Sequence, residues 1–233
     1  ASHAQREDVH LRHLWGRDGL VDLFSTAAGL ESMVIGEREI AGQMRRAART
    51  AWEDGTLSCD LGRAAERASA TSRRVATETG LAGAGRSVVA VGLDMAAAHL
   101  RPWVDARVLI VGTGAYAGAT VSALHALGAS DVSVYSTSGR AREFAQGRGI
   151  GWVSAADLPS ALERADLVVT CRGLGSPILT RDMAAASGRT VVLDLALMRD
   201  TESSVASLPN ITLIDLPTIQ ASVPAADADA LTR

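Results

Sequence analysis

The feature that most constrains the fold of this chain is an apolar run, Val108–Val111, that leads directly into the turn Gly112–Ala117 (GTGAYA). A short apolar run of this kind is typical of a buried strand in a parallel sheet. Gly112, Gly114 and Ala117 occupy the three fingerprint positions of a dinucleotide-binding turn. The first allows a sharp turn, the second lets the backbone approach a pyrophosphate, and the third lets a helix lie close to the sheet. The pattern predicts nucleotide binding; the alternative is a glycine-rich turn that binds no ligand.

The residues after this turn predict the next two elements. A helix is predicted from about Tyr116 to Leu127, where Gly128 ends it, and a second strand over Asp131–Tyr135. The N-terminus of such a helix directs N–H groups and the positive end of its dipole at phosphates. A strand, glycine turn, helix and second strand in this order favour a dinucleotide site over an isolated glycine motif.

The loop after the second strand indicates which dinucleotide binds. An NAD-binding domain usually places an acidic residue there to bind the ribose 2′-hydroxyl. This chain has Ser136, Thr137 and Ser138, with Arg140 and Arg142 close behind. Hydroxyl groups and a guanidinium suit a 2′-phosphate, so NADP(H) is favoured over NAD; the alternative is an ordinary polar loop. The candidate cofactor-binding residues are Gly112, Thr113, Gly114, Ala115, Tyr116, Ala117, Ser136 and Arg140.

The remaining pattern predicts an α/β protein, a Rossmann-type doubly wound parallel sheet preceded by a helical segment. Residues 1–101 are predicted to be helical, 102–217 to form the NADP-binding domain, and 218–233 to form a tail that begins a further region. Later strands are predicted over 166–171, 190–197 and 211–214, with a helix over 154–164 capped by Ser154 and a short helix capped by Thr180.

Composition excludes several chemistries. All 23 basic residues are arginine, so neither a Schiff-base lysine nor a P-loop lysine is present. The two cysteines, Cys59 and Cys171, form neither a disulfide framework nor a metal-ligand spacing. A net charge of −3 argues against a broadly basic nucleic-acid surface. No apolar run approaches the roughly 20 residues that a membrane span needs, and a cytoplasmic protein is expected.

Residues 32–43 are unusual for a plain helix. Gly36 and Gly42 interrupt the segment, and Glu37, Glu39 and Gln43 lie close together in it. Because glycine inside a helix costs about 1 kcal/mol relative to alanine, close approach of a ligand or of another helix is expected there. Periodicity alone leaves two interpretations open, a ligand site or a helix crossing with a solvated polar face.

With the helical and nucleotide-binding parts combined, the chain resembles the glutamyl-tRNA reductase family from about Leu20 to Asp215. The most specific match is LFSTAAGLESMVIGEREIAGQ, Leu23–Gln43, which is close to the signature of that family. TSRRVATET (Thr71–Thr79) resembles the start of its spinal helix, and GTGAYAG and VVLDLALMRD resemble motifs of its NADP domain. Several motifs therefore occur in the expected order and spacing.

This resemblance implies the NADPH-dependent reduction of glutamyl-tRNA to glutamate-1-semialdehyde, the entry to tetrapyrrole (porphyrin and heme) biosynthesis. In that reaction a cysteine thiolate forms a thioester, and hydride then releases the aldehyde. The resemblance also implies glutamyl-tRNA as a partner, glutamate-1-semialdehyde aminomutase as a further partner, and a homodimer in the full-length protein. By motif match, the substrate-binding residues are Ser32, Glu37, Arg38, Glu39 and Gln43.

The chain also departs from the family pattern. Nothing in it matches the segment that carries the nucleophilic cysteine, and neither Cys59 nor Cys171 is expected to replace that residue. Asp22 stands at the position of a family histidine, and no catalytic residue is identified. Ser136 stands at the position of a family arginine, a departure that counts against the NADP preference. We expect either a fragment of a longer reductase or a degenerate paralogue, and no reductase activity from the chain alone.

Two other classes of function remain in view. One is a non-catalytic NADP-binding paralogue or an interaction protein of the same pathway. The other is a shikimate-dehydrogenase-like oxidoreductase, which shares the nucleotide-domain pattern. That chemistry uses a catalytic lysine–aspartate pair, and the absence of lysine from the chain argues against it.

Overall fold

The structure, a computed structural model, describes residues 12–30, 32, 38–78 and 87–222. These residues belong to two compact units, one within residues 12–78 and the other within residues 87–222. None of the helices in the described part of the chain is both long and apolar enough to cross a membrane.

The described residues of the first unit, 12–30, 32 and 38–78, form helices α1 (Gly16–Ala27), α2 (Arg38–Glu53) and α3 (Cys59–Glu78). Each helix packs against the other two, and the buried side chains are small: Ala27, Ala41, Ala65, Ala68 and Ser69. Helix α2 ends before Gly55, whose φ of +68° is readily adopted by glycine. Helix α3 begins at Cys59, where the Ser58 hydroxyl accepts the N–H of Leu61 and caps the helix.

The second unit is built on a six-stranded parallel sheet, which confirms the predicted fold class. The strand order is β3-β2-β1-β4-β5-β6, so the order reverses between β1 and β4. The strands are β1 (Arg107–Val111), β2 (Asp131–Tyr135), β3 (Gly151–Trp152), β4 (Leu167–Thr170), β5 (Thr190–Asp194) and β6 (Ile211–Asp215).

Helices accompany this sheet on both faces. They are α4 (Val88–Ala97), α5 (Ala115–Ala126), α6 (Ala141–Gln146), α7 (Leu158–Arg164), α8 (Arg181–Ala185) and α9 (Leu216–Ser222). Helices α7 and α8 and the 3₁₀ segment Ser203–Ser207 join one apolar core with β1, β4 and β5, which includes Val192. Leu193, the next residue of β5, points to the opposite face and meets Gly92 of α4.

Helix α4 is part of the second unit, although it was predicted to belong to the helical segment 1–101. It packs on α5, α9, β5 and β6. Residues 218–222, expected to open a tail, belong to α9, and Ile219 of that helix is fully buried. The apolar contact of Ile219 beneath α4 explains why the chain continues as a helix past Pro217.

Strands β4 and β6 differ from their predicted bounds by one residue at one or both ends, whereas two other boundaries differ by more and involve a side-chain contact to the backbone. Ser154 does not cap α7 directly; its Oγ accepts the N–H of Asp157 at 3.2 Å and donates to the Asp157 carboxylate at 2.6 Å, which closes a turn before the helix begins at Leu158. Strand β5 ends at Asp194 rather than at residue 197, because the Asp194 carboxylate accepts the N–H of Ala196 at 3.1 Å. The predicted cap Thr180 is confirmed, since its side chain accepts the N–H of Met183.

Strand β3 and helix α6 were not predicted. The strand has only two residues and the helix only six, so neither produces a periodic pattern long enough to recognise. Both elements lie at or beside the β3 edge of the sheet.

Asp166 forms ion pairs with two arginines at the amino-terminal ends of β1 and β4. Asp166, at the start of β4, accepts hydrogen bonds from Arg107 N and Nε at 2.9 and 3.0 Å, and Arg101 Nη2 lies 3.1 Å away. Burial raises the pKa of the Asp166 carboxyl, but the hydrogen bonds and charge of Arg107 more than offset this, and the pKa lies below its usual value.

We expect Asp166→Asn to lower the free energy of unfolding by about 1–2 kcal/mol at neutral pH, the lower part of the range applying because the arginines are partly exposed. A lowered folded-state pKa stabilises the protein above the unfolded pKa of about 4, and this stabilisation is lost as the pH falls through the folded value. Urea unfolding of both proteins between about pH 7 and pH 3 should therefore show a difference that shrinks in acid. Exposed Asp105→Asn is the control, and a difference independent of pH would contradict the assignment.

Candidate nucleotide-binding site

The turn after β1 has a conformation that requires glycine at its first position. Gly112 has a φ of +136°, and a Cβ added there would lie 2.9 Å from Cys171 Sγ and 3.2 Å from the Cys171 carbonyl oxygen. Its N–H donates to the Tyr135 carbonyl at 2.9 Å. Gly112 therefore lets β1 end tightly between β2 and the segment after β4.

Gly114 differs from Gly112 because the space that a side chain would occupy there is open. It is the N-cap of α5 with a φ of −83°, which any residue can adopt, and a Cβ added there would have no atom within 4 Å. The space lies at the N-terminus of a 12-residue helix, where backbone N–H groups and the helix dipole favour an anion. Ala117, in the first turn of α5, is fully buried. This arrangement fits a pyrophosphate at the helix N-terminus.

A chain of polar contacts links the turn to the loop after β2. Thr113 Oγ1 lies 3.5 Å from Ser136 Oγ, and Ser136 Oγ lies 2.9 Å from Ser138 Oγ. Arg140 Nε donates to Ser138 Oγ at 3.0 Å. The structure therefore brings Thr113, Ser136 and Arg140 together beside the glycine turn, at the carboxyl ends of β1 and β2.

The loops after β4 and β5 lie on the other side of the switch point, the place between β1 and β4 where the strand order reverses. They contain two buried acidic residues that were not among the predicted site residues. Asp194, at the end of β5, is 1% exposed and accepts the N–H groups of Ala196, Asp200 and Thr201. Burial raises the pKa of Asp194, although these hydrogen bonds oppose the rise. Asp200 is fully buried and bonds to the backbone and side chain of Arg172. The sequence does contain a signal for these two residues, because LDLALMRD places Asp194 at the end of a buried strand and Asp200 six residues later.

Three large apolar side chains on these two loops are exposed. The exposed fractions are 64% for Leu174, 84% for Leu197 and 56% for Met198. Leu174 lies on the loop after β4, the other two lie on the loop after β5, and both loops follow the carboxyl ends of their strands. In open α/β sheets this edge is where ligands bind.

Comparisons with known proteins agree with this geometry. The family model for the glutamyl-tRNA(Glu) reductase N-terminal domain matches residues 2–79, and that for shikimate / quinate 5-dehydrogenase matches residues 94–222. The glutamyl-tRNA reductase of Cutibacterium acnes is 48% identical over 214 residues, which are 89% of this chain and 47% of that protein. That of Clavibacter michiganensis is 46% identical over 215 residues, 89% of this chain and 49% of that protein.

A solved structure gives the same result. Glutamyl-tRNA reductase from Methanopyrus kandleri matches with a TM-score of 0.57 and 26% identity, covering 93% of this chain and 56% of that chain. The chain belongs to the glutamyl-tRNA reductase family. It spans about half the length of the curated relatives it matches. The shikimate / quinate dehydrogenase match falls on the nucleotide-binding unit, the part whose pattern the two families share.

The residues that family resemblance assigns to substrate lie in the helical unit. Ser32 is half-buried and donates from Oγ to the Gly29 carbonyl at 3.0 Å. Gln43 is half-buried on α2, Arg38 and Glu39 begin that helix, and Glu37 lies outside the described residues. Their role in substrate binding therefore stays a prediction.

Two other features of the helical unit bear on the sequence predictions. Asp22, at the position of a family histidine, pairs with Arg12. A Cβ added at Gly42 would approach only Arg46 Nη1, at 3.4 Å, so no neighbouring helix requires glycine there within the described residues. Gly36, the other glycine, lies outside the described residues.

Cys171 lies beneath the nucleotide site but is poorly suited to act as a nucleophile. Burial, with the nearby charges of Asp200 and Asp194, raises the pKa of its thiol to about 12. Its Sγ lies 3.6 Å from the Val111 carbonyl, to which it can donate. Since the thiolate is the reactive form, Cys171 stays protonated and inert at neutral pH.

We expect iodoacetamide at neutral pH to alkylate Cys59, which is exposed, and to leave Cys171 unmodified in the folded protein. Both thiols should react after unfolding in guanidinium chloride, which provides the internal control. Peptide mass spectrometry of the two samples measures each site. Rapid alkylation of Cys171 in the folded protein would contradict the assignment.

Proposed function

We propose that this chain supplies the cofactor-binding part and a portion of the substrate-binding part of an NADPH-dependent glutamyl-tRNA reductase. That enzyme would reduce glutamyl-tRNA to glutamate-1-semialdehyde in tetrapyrrole biosynthesis. The observation that carries the proposal is the open space over Gly114 at the switch point of the sheet, in a chain 48% identical to a glutamyl-tRNA reductase.

Different groups of described residues would bind different parts of a dinucleotide. The first turn of α5 would hold the pyrophosphate through backbone N–H groups, and Gly114 would leave room for it. Ser136 and Arg140 would face the adenosine ribose, which places the remaining half of the cofactor toward β4 and β5. When bound, the nicotinamide supplies the hydride for reduction.

The preference for NADP(H) over NAD(H) rests on the loop after β2. Ser136, Ser138 and Arg140 form one hydrogen-bonded series at its start. Arginine and hydroxyl donors match a 2′-phosphate, and the described residues of this loop, 136–140, contain no carboxylate to repel it. Thr113 connects this series to the turn after β1, so the two phosphate-binding parts lie side by side.

We expect Arg140→Ala to reduce the preference for NADPH over NADH by about tenfold, since a hydrogen bond to a charged group contributes roughly 1.5–3 kcal/mol. Affinities are measured by titrating the nicotinamide fluorescence of each cofactor. Exposed Arg142, two residues further on, provides the matched control Arg142→Ala, which should leave the ratio unchanged. Equal affinity of the wild-type chain for the two cofactors would rule out the proposed NADP preference.

Glutamyl-tRNA is the proposed substrate, with Ser32, Glu37, Arg38, Glu39 and Gln43 as the residues that contact its glutamyl group. The supporting observation is the match of the reductase N-terminal-domain model to residues 2–79, which include all five. By the same family relation we propose a homodimer and an association with glutamate-1-semialdehyde aminomutase for the full-length protein. Gln43→Ala should then raise KM for glutamyl-tRNA or lower kcat in an active enzyme.

A chimera tests the complete activity. This chain would replace the matching 214 residues of the Cutibacterium acnes enzyme, and NADPH oxidation and aldehyde formation would be measured with glutamyl-tRNA. We expect turnover that depends on glutamyl-tRNA and is lost when the chimera carries Gly114→Asp. A folded chimera that binds NADPH but does not turn over would favour the alternative, a non-catalytic NADP-binding paralogue.

A further inference from the structure

The buried carboxylate of Asp200, on the loop after β5, bonds to the start of the loop after β4. It accepts hydrogen bonds from the backbone N–H groups of Arg172 and Gly173, the second at 3.3 Å. Its other oxygen lies 3.4 Å from Arg172 Nη2. Asp200 is 0% exposed and Arg172 9% exposed, so water competes little for these bonds.

Both partners are also held firmly on their own loops. The N–H of Asp200 donates to the Asp194 carboxylate at 3.1 Å, which connects it to the end of β5. Arg172 Nη2 donates to the Ser176 carbonyl at 2.7 Å and so closes the loop after β4. The carbonyl of Asp200 accepts the N–H groups of Ile178 and Leu179, at 2.7 and 3.1 Å. The two loops are therefore connected through the backbone carbonyl of Asp200 as well as through its carboxylate.

Stability alone does not account for this pair. A buried ion pair is often no more stabilising than apolar residues of the same volume. Arg172 Nε is, in addition, buried with no hydrogen-bond partner among the described residues, which costs about 1–3 kcal/mol. What the pair does provide is a fixed geometry for the two loops. Such unfavourable local features are concentrated at functional sites.

The two loops that Asp200 and Arg172 connect carry exposed apolar side chains. Leu174, Leu197 and Met198 are each more than half exposed, and a Cβ at Gly175 would lie 3.0 Å from Met198 Cε, so the loops are in contact. Gly173 and Gly175 have φ values of +62° and +77°, which allow the tight path of the loop. Covering exposed apolar side chains with a flat ligand is favourable because it removes apolar surface from water. The benefit is larger when the side chains are already held in place, since less conformational entropy is lost on binding.

We infer that Asp200 and Arg172 are positioning residues for the nicotinamide half of the cofactor. They hold the loops after β4 and β5 so that Leu174, Leu197 and Met198 present an apolar surface to the ring. The inference rests on the proposed function, since it assigns these residues to one half of the proposed dinucleotide. Neither residue is a catalytic residue, because each acts through the loops that it holds.

The test compares NADPH with adenosine 2′,5′-bisphosphate, which contains the adenosine half of the cofactor and no nicotinamide. Asp200→Asn keeps an oxygen for the two backbone N–H groups and removes the charge that pairs with Arg172. We expect about tenfold weaker NADPH binding by titration calorimetry, while the affinity for the bisphosphate stays within about twofold. The blue shift of bound NADPH fluorescence should also decrease.

Asp166→Asn is the matched control, because Asp166 likewise accepts a backbone N–H and a guanidinium, at the opposite edge of the sheet. It should leave both affinities unchanged. Equal weakening of both ligands by Asp200→Asn, or unchanged NADPH binding, would overturn the inference. If Asp200→Asn does not fold by circular dichroism, Arg172→Gln is measured in the same way. A wild-type chain that binds neither ligand would instead refute the proposed function.

Discussion

A Gly114→Asp variant is expected to bind NADPH at least about a hundredfold more weakly than the wild-type chain and to unfold at the same temperature or slightly higher. A carboxylate at this position would enter the space that fits the pyrophosphate. Repulsion between like charges in such a site costs several kcal/mol, and about 2.7 kcal/mol already corresponds to a hundredfold loss of affinity. Fluorescence titration and thermal unfolding measure the two effects.

Folding should tolerate this substitution for two reasons. Gly114 has a φ of −83° and no atom within 4 Å of an added Cβ, so no strain or overlap arises. It is also the N-cap of α5, a position where aspartate is among the preferred residues. Unchanged NADPH affinity in a folded Gly114→Asp protein would show that the turn does not bind the cofactor.

Gly112→Ala is the informative contrast to Gly114→Asp. The Gly112 φ of +136° and the Cys171 sulfur at 2.9 Å make any side chain unfavourable there, so this variant should lose stability. Two glycines separated by one residue in the same turn therefore give opposite results. We expect Gly112 to be required for folding and Gly114 to be required for leaving the proposed ligand space open.

Gly92→Ala is expected to lower the free energy of unfolding by about 1–3 kcal/mol, although alanine favours helices. The added methyl group would lie 2.8 Å from Leu193 Cδ1 and 3.2 Å from Ile219 Cδ1. Leu193 and Ile219 are both 0% exposed, so neither side chain has space into which it can move. Urea unfolding monitored by circular dichroism measures the effect.

The matched control is Gly118→Ala, in the interior of α5. A methyl group there would have only the Arg148 guanidinium nearby, at 3.8 Å, so the helix propensity of alanine should raise stability by up to about 1 kcal/mol. The two substitutions are chemically identical and should change stability in opposite directions. Equal effects would mean that α4 is not closely packed on β5 and α9.

Much of the fold could be predicted from the sequence because its signals are local. The apolar run into Gly112 predicted β1, and the run before Gly128 predicted α5 within one residue at each end. Residues within four positions of one another determine these patterns, through helix periodicity, capping and the backbone freedom of glycine. The short elements β3 and α6 were missed because they have too few residues to produce such patterns.

The candidate site was predicted in part. Ser136 and Arg140 follow β2 directly, so knowing the strand was enough to place them near the turn, and the structure does bring them together with Thr113. Asp200 could not be assigned in this way. Its partner Arg172 is 28 residues away in the chain, and only the pairing of β4 with β5 places the two loops together.

The sequence by itself determined a strand–turn–helix unit in a parallel sheet and membership of the glutamyl-tRNA reductase family. Only the tertiary structure decided that Gly112 is required by contact with Cys171 while Gly114 faces open space. It also decided that Asp194 ends β5 and that Asp200 holds the loop after β4. The physical reason is that close packing and burial depend on residues distant in the chain, which local sequence patterns do not specify.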